Sequence, residues 1–186
     1  MKWTDTILNG TIVPLIPKFV RPNHITLLRI CLTPLVGWLL YIENFFAGGV
    51  LFAFLVLTDG IDGTLARSRN MISTWGKLYD PLADKLLIGI SALVLVTRYI
   101  SAWLAGAIIL IETILLASGA RRSFASHTNI QANKWGKYKM IFQSVGIICI
   151  ILGAMLNIPF YIAAAAYILY TALVLALVSL FKYSSR

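Results

Sequence analysis

The chain has 186 residues, of which 59% are hydrophobic and 12% are charged. Soluble domains carry about 25% charged residues, roughly twice this share. A soluble domain of this length could not bury so much apolar surface, so the composition excludes that class and indicates an integral membrane protein. The net charge of +9 is also found in nucleic-acid-binding proteins, but here the basic residues flank apolar runs. In that position they serve topology and anionic headgroups, so we expect membrane lipids as partners and no nucleic acid.

The first predicted element is a juxtamembrane interfacial segment over residues 1–21. Its apolar residues recur at a spacing that suits an interrupted amphipathic helix on the membrane surface. Pro14 and Pro17 must end or kink that helix. No cleavable signal sequence is predicted, because the segment lacks a continuous apolar core. Asn23 follows as the predicted N-cap of the first membrane helix.

Six apolar runs of membrane length follow, in one predicted domain over residues 22–186. Short polar breaks separate them, except for a longer predicted loop from Arg121 to Lys134. The predicted fold class is an all-α integral membrane protein with six transmembrane helices, an N-terminal interfacial segment and a metal site at the cytoplasmic end. The predicted spans are 25–43, 47–68, 77–98, 102–121, 137–156 and 159–181.

The basic residues predict the orientation of these spans. Fifteen of the sixteen fall on the side that holds both predicted termini, and Arg98 falls on the other. The positive-inside rule therefore predicts a multi-pass protein of the cell membrane with both termini in the cytoplasm. The two cysteines, Cys31 and Cys149, lie singly in apolar runs and are predicted to be small hydrophobic residues rather than disulfide partners or metal ligands.

Four of the seven acidic residues lie in a single window, at the cytoplasmic ends of the second and third spans. Each carboxylate at membrane depth costs about 2.5–3.5 kcal/mol, so such a cluster is retained where positive charge is held among its members. Asp59 and Asp62 are three residues apart and share one helix face. Asp80 and Asp84 are four apart and share another. Oxygen ligands suit Mg²⁺ or Mn²⁺, and two such ions suit phosphoryl-group displacement.

Small residues and one arginine accompany the aspartates. Gly63 and Ala66 lie on or beside the first aspartate face, where a small side chain lets a ligand approach the backbone. Gly76 lies one turn before Asp80, and Arg67 could hold a phosphate in a forked contact. The combination indicates a nucleoside diphosphate bridged by metal ions. A proton or cation pathway through a transporter bundle is the alternative from the residues alone.

The window also carries a recognisable motif. The pattern D-x-x-D-G-x-x-A-R, eight residues, then G-x-x-x-D-x-x-x-D resembles the signature of the CDP-alcohol phosphotransferases. This resemblance implies two metal ions that bind the diphosphate of a CDP-linked lipid, with Gly63, Ala66, Arg67 and Gly76 in the CDP-lipid site. It also implies that Asp84 is both a metal ligand and the catalytic base that takes the proton of the acceptor alcohol, after which CMP leaves. The implied metal ligands are Asp59, Asp62, Asp80 and Asp84.

Two further stretches resemble the phosphatidylglycerophosphate synthase and cardiolipin synthase branch of that family. They are Asp80-Pro-Leu-Ala-Asp84-Lys85 and, at the start of the fifth helix, Gly136-Lys137-Tyr138-Lys139 with Gln143. Pro22-Asn23, Thr26 and Arg29 also match the opening pattern of that branch. That branch also carries an Arg-Glu pair in its fourth helix, for which Glu112 is only a near miss here. The expected substrates are CDP-diacylglycerol and a phosphorylated alcohol such as glycerol 3-phosphate, with phosphatidylglycerol or inositol phosphate as the alternative acceptors. A homodimer is expected. The cations predicted to bind the acceptor phosphate are Arg121, Arg122, Lys137 and Lys139.

Overall fold

The computed structural model describes the backbone of residues 22–68, 74–126 and 134–184, and the side chains of residues 23–58, 79, 81–118 and 135–180. Every regular element in these ranges is an α-helix. The interfacial segment predicted for residues 1–21 lies outside the described residues. The helices are α1 (Pro22–Tyr41), α2 (Phe45–Ser68), α3 (Thr74–Tyr99), α4 (Ala102–Ser126), α5 (Lys134–Leu156) and α6 (Pro159–Ser184).

The number and order of the helices in the described residues agree with the prediction, but eight of their twelve ends differ from the predicted bounds, by one to five residues. Helix α4 continues to Ser126, so the loop predicted to start at Arg121 was wrong over its first residues. The polar residues mark the end of the apolar run, but the helix continues because no glycine or proline lies between residues 121 and 126. Asn23, predicted as an N-cap, lies in the first turn of α1. That helix begins at Pro22, and proline is well tolerated in a first helical turn.

Tight turns join the helices at the end of the bundle away from the aspartates. Between α1 and α2, Glu43 adopts a left-handed φ of 64°, and Asn44 Oδ1 accepts a hydrogen bond from the Ala47 amide at 3.2 Å. Between α5 and α6, Asn157 has a φ of 55° and Pro159 begins the next helix. Asparagine tolerates this conformation and proline suits the first helical turn, so the chain reverses within a few residues. Consecutive helices are therefore antiparallel.

Helix α3 lies at the centre of the bundle and packs against α1, α4 and α5. Several glycines allow close approach between helices, and Gly37 and Gly49 are two of them. A Cβ atom on Gly37 would lie 2.5 Å from Ile90 Cγ2, and one on Gly49 would lie 2.8 Å from Ile151 Cγ2. Such small residues are typical of helix interfaces in membranes, where association depends on close packing.

The outer surface of the bundle is apolar. Trp103, Tyr167 and Phe160 are 90%, 77% and 74% exposed. Exposed apolar surface on this scale suits contact with lipid rather than water. Three helices within the described residues are long and apolar enough to cross a membrane by length and composition, and shorter apolar segments occur in α2 and α4. The three candidate spans are Asn23–Tyr41, Trp135–Leu156 and Pro159–Leu180.

Candidate active site

Helix α1 carries a row of buried polar residues, one of which contacts the predicted catalytic base, Asp84. Thr26 and Arg29 are wholly buried and Thr33 is almost so, at the spacing of one helix face. Arg29 Nη1 donates a hydrogen bond to Asp84 Oδ1 on α3 at 2.5 Å. A hydrogen bond between two charged groups is stronger than one between neutral groups, so this contact fixes the position of the Asp84 carboxylate. The Asp84 side chain is 16% exposed, which leaves it partly accessible.

The other predicted metal ligands can be placed on the backbone. Asp59 and Asp62 lie in the second half of α2, and Asp80 lies one turn before Asp84 in α3. Helices α2 and α3 contact each other, and five residues separate Ser68 from Thr74. The side chains of Asp59, Asp62 and Asp80 lie outside the described residues. Among the described side chains, no group of three or more His, Cys, Asp or Glu could hold a metal ion. The four-aspartate metal site therefore stays a prediction.

The predicted CDP-lipid residues lie on the same two helices. Gly63, Ala66 and Arg67 lie in the last turns of α2, and Gly76 lies in the first turn of α3. Their surroundings lie outside the described side chains, so their role also stays a prediction. Their places on the backbone put them at the helix ends that carry the aspartates.

A second buried ionic group joins α4 to α5. Glu112 Oε1 accepts a hydrogen bond from Lys139 Nζ at 2.5 Å and another from Gln143 Nε2 at 2.9 Å. All three residues are at most 5% exposed. Lys139 and Gln143 are four residues apart on α5, so both face Glu112. We call Glu112, Lys139 and Gln143 the Glu112 cluster.

The sequence does not predict the Glu112 cluster: Lys139 and Gln143 belong to a stretch that resembles the family branch, but Glu112 is only a near miss to its pattern. A signal for it was present. Glu112 is the single acidic residue between Asp84 and the end of the chain, and it lies inside an apolar run. An ionisable residue at membrane depth is a functional-site candidate because its burial is costly without a partner.

The four cations predicted to bind the acceptor phosphate are not all brought together. Lys137 and Lys139 are two residues apart on α5, so they face different sides of the helix. Lys139 is buried in the Glu112 cluster, whereas Lys137 is exposed. Arg121 and Arg122 lie in the last turns of α4, with side chains outside the described part of the chain. Their predicted contact with phosphate is untested.

Lys85 lies between the two buried ionic groups. It follows Asp84 on α3 and shares a cavity with Glu112. Around Glu112, two ammonium groups, Lys85 and Lys139, therefore accompany one carboxylate. The described side chains in this group carry one excess positive charge, which suits an anionic ligand.

Comparison with known proteins decides the family. The sequence profile of the CDP-alcohol phosphatidyltransferases matches residues 19–178, which include all six helices apart from the end of the last one. The chain belongs to the CDP-alcohol phosphatidyltransferase family. This finding confirms the resemblance seen in the aspartate motif.

Similar proteins include enzymes of the branch predicted from the second group of motifs. A CDP-diacylglycerol--glycerol-3-phosphate 3-phosphatidyltransferase of Rickettsia typhi is 33% identical over 72% of this chain and 76% of its own length. The enzyme of the same name from Bacillus subtilis is 31% identical over 90% of this chain and 95% of its own length. A probable cardiolipin synthase (CMP-forming) of Drosophila melanogaster is 36% identical over 53% of this chain and 31% of its own length.

Proposed function

We propose that this membrane enzyme transfers the phosphatidyl group of CDP-diacylglycerol to glycerol 3-phosphate and releases CMP. The observation that carries the proposal is the complete aspartate motif in a chain whose relatives over most of its length are named for this reaction. The partly buried contact between Arg29 and Asp84 supports it, because it orients one motif carboxylate inside the bundle.

In this proposal Asp84 acts on the acceptor alcohol. Its carboxylate takes the hydroxyl proton of glycerol 3-phosphate while Arg29 holds Oδ1 in place. The alcohol oxygen then forms a bond to the β-phosphorus of CDP-diacylglycerol. The bond from that phosphorus to the oxygen bridging it to the cytidine-bearing phosphate breaks, and CMP leaves with the electron pair. Positioning of the two substrates and stabilisation of charge supply most of the catalysis of such a displacement.

We assign two Mg²⁺ or Mn²⁺ ions to Asp59, Asp62, Asp80 and Asp84. The all-oxygen donor set fits these hard cations. When bound, the ions would neutralise the diphosphate charge and stabilise the leaving phosphate. The four carboxylates would balance the four positive charges of two divalent ions. Gly63, Ala66, Arg67 and Gly76 would line the CDP-lipid site.

The acceptor phosphate is assigned to cations at the ends of α4 and α5: Arg121 and Arg122 on α4 and, on α5, either Lys137 or Lys139, which face different sides of that helix. Arg121→Ala should raise the apparent KM for glycerol 3-phosphate about 10- to 150-fold, since a charge-assisted contact contributes about 1.5–3 kcal/mol. The apparent KM for CDP-diacylglycerol should change far less. Steady-state kinetics with each substrate varied in turn measure both values. Equal effects on the two substrates would make Arg121 a structural residue and move the acceptor site elsewhere.

We further propose that all six helices cross the cell membrane, with the active site facing the cytoplasm, and that the enzyme is a homodimer. The apolar outer surface and the three helices of spanning length support the membrane placement. The distribution of basic residues supports the orientation.

Three other functions remain as outcomes of the test. The Drosophila relative favours phosphatidylglycerol as a second candidate acceptor with the same chemistry, and inositol phosphate is a third. A carboxylate-lined ion pathway is the alternative from another class, and family membership favours the transferase over it.

The decisive assay incubates the purified protein with CDP-diacylglycerol and each acceptor, and identifies the lipid product by mass spectrometry. Phosphatidylglycerophosphate from glycerol 3-phosphate supports the proposal. If cardiolipin forms from phosphatidylglycerol and glycerol 3-phosphate gives no product, the acceptor is phosphatidylglycerol and not glycerol 3-phosphate. Absence of CMP with every acceptor would contradict the enzyme class.

A further inference from the structure

A crevice runs along the outer surface of the bundle between α3 and α4. Its cavity volume is about 250 Å³. On α3 its wall is a stripe with the spacing of one helix face, from Leu82 through Lys85 and Gly89 to Leu93. On α4 the facing stripe runs from Ile109 through Glu112 to Leu116.

The crevice is apolar over most of its length. Apart from Lys85 and Glu112, its lining carries one polar side chain, Thr113. The Thr113 hydroxyl donates to the Ile109 carbonyl of its own helix at 2.8 Å, so it needs no ligand. Glu112 is already bonded to Lys139 and Gln143. Lys85 is the cation of the lining, and it lies near the end of the crevice that is closest to the aspartates.

The dimensions of the crevice suit one lipid chain. Leu82 and Leu93 lie about three helical turns apart, or roughly 16 Å along the axis. The hydrocarbon core of a bilayer is about 30 Å thick, so the crevice has the depth of one leaflet. An apolar crevice with a cation near its headgroup end is complementary to an anionic phospholipid, in which a negative phosphate is joined to long apolar chains.

We propose that the crevice between α3 and α4 binds one acyl chain of CDP-diacylglycerol, with Lys85 facing the phosphate end of the lipid. This inference rests on the proposed function. The substrate is favoured as the occupant because Lys85 adjoins Asp84 on α3, which puts the cation of the crevice at the depth of the aspartates, although the two side chains face different sides of the helix.

Gly89 provides the means to fill the crevice. A Cβ atom built on Gly89 meets no atom within 4 Å, although Gly89 lies in the middle of the lining. Gly106 on α4 has the same open surroundings but does not line the crevice. Gly89→Leu and Gly106→Leu are therefore matched variants, since each adds the same side chain to a helix at a position where a Cβ atom meets no neighbour.

The test measures the apparent KM of each variant for dipalmitoyl CDP-diacylglycerol and for a dibutanoyl analogue whose chains are too short to pass Gly89. Gly89→Leu should raise the KM for the long-chain lipid about tenfold, because a pocket discriminates among apolar groups by about 10- to 200-fold. It should leave the KM for the short-chain lipid within about twofold. Gly106→Leu should leave both values within the same margin. If Gly89→Leu does not fold, Gly89→Ala should show a smaller effect in the same direction.

Other results would overturn the inference. If Gly89→Leu changes the KM for both lipids equally, or for neither, the crevice does not bind the acyl chain. CMP release by the wild-type protein would still support the transferase in that case. Added phosphatidylglycerol vesicles are supplied to both proteins as a further comparison. If they raise the rate of the wild-type protein, and Gly89→Leu loses only that increase, the crevice binds a bulk lipid instead of the substrate. If the protein–detergent particle of Gly89→Leu differs in mass from that of the wild-type protein, the crevice is instead a contact with a second copy of the chain. Absence of CMP from the wild-type protein with either lipid would overturn the proposed function as well.

Discussion

Ion pairs occur at both ends of the bundle, but they differ in how far they are exposed. At the end away from the aspartates, Arg98 of α3 forms an ion pair with Glu43, and the two side chains are 48% and 50% exposed. At the aspartate end, Arg29 pairs with Asp84 at 0% and 16% exposure. Lys139 pairs with Glu112 there at 4% and 6%. All three pairs join one acidic and one basic side chain, and the exposed fraction separates the pair of Glu43 and Arg98 from the other two.

This difference indicates which end carries the chemistry. An exposed ion pair contributes about 0–1 kcal/mol, so the pair of Glu43 and Arg98 is a surface contact at the boundary of the bundle. A buried pair loses so much hydration that it is weak evidence for stability. Two buried pairs near one end of a membrane bundle therefore indicate function, which agrees with the motif on α2 and α3.

The largest effect is expected at Asp84. Asp84→Asn should lower the rate of CMP release about 10²–10⁴-fold, which is the usual loss when a general base is removed. Binding of the CDP-lipid should be partly retained. Steady-state CMP release and equilibrium binding of a radiolabelled CDP-lipid measure the two properties separately. A near-normal rate would show that another group is the base.

A smaller effect, on folding, is expected in the Glu112 cluster. Glu112→Gln leaves the buried Lys139 without its counter-charge and should lower the free energy of unfolding by about 3 kcal/mol. Replacing both charged partners, as in Glu112→Gln with Lys139→Met, should restore most of that loss. Thermal unfolding in detergent measures both variants.

The double variant also separates packing from binding. If Lys139 contacts the acceptor phosphate, the apparent KM for glycerol 3-phosphate should stay raised after stability has returned. Recovery of stability and KM together would make the cluster structural. A double variant that is less stable than Glu112→Gln would contradict the paired-charge explanation.

The smallest effect is expected at the exposed end. Glu43→Gln removes one charge of a half-exposed pair and should change the free energy of unfolding by no more than about 1 kcal/mol. The rate of CMP release should equal that of the wild-type protein. The same assays used for Glu112→Gln provide the comparison. A loss comparable to that of the Glu112 variant would remove the distinction between the two ends.

Much of the fold could be predicted from the sequence because the membrane restricts it. Apolar runs long enough to span were visible directly, and prolines such as Pro159 marked where helices begin. The end of α4 was not visible, because hydropathy reports where the apolar run stops and Arg121 can extend a helix beyond that point.

The sequence predicts site residues that are close to one another along the chain, but it does not predict contacts between helices. Asp80 and Asp84 share a face by spacing alone, whereas Arg29 and Asp84 are brought together by the packing of α1 on α3. The same holds for Glu112, whose partners lie on the next helix. Spacing on one helix reveals contacts within about four residues, and pairs between helices depend on rotation and depth that a single sequence does not specify.

The central claim is that the aspartate end of the bundle holds a metal-dependent active site. Its most direct test is the metal dependence of CMP release. Purified protein is incubated with CDP-diacylglycerol and glycerol 3-phosphate, first with Mg²⁺, then with excess chelator, and then with Mg²⁺ or Mn²⁺ restored. The account predicts that CMP release stops with chelator and returns with either ion, because four carboxylates in a bundle need divalent cations to bind a diphosphate. Full activity in excess chelator would contradict the metal site and the assignment of the four aspartates.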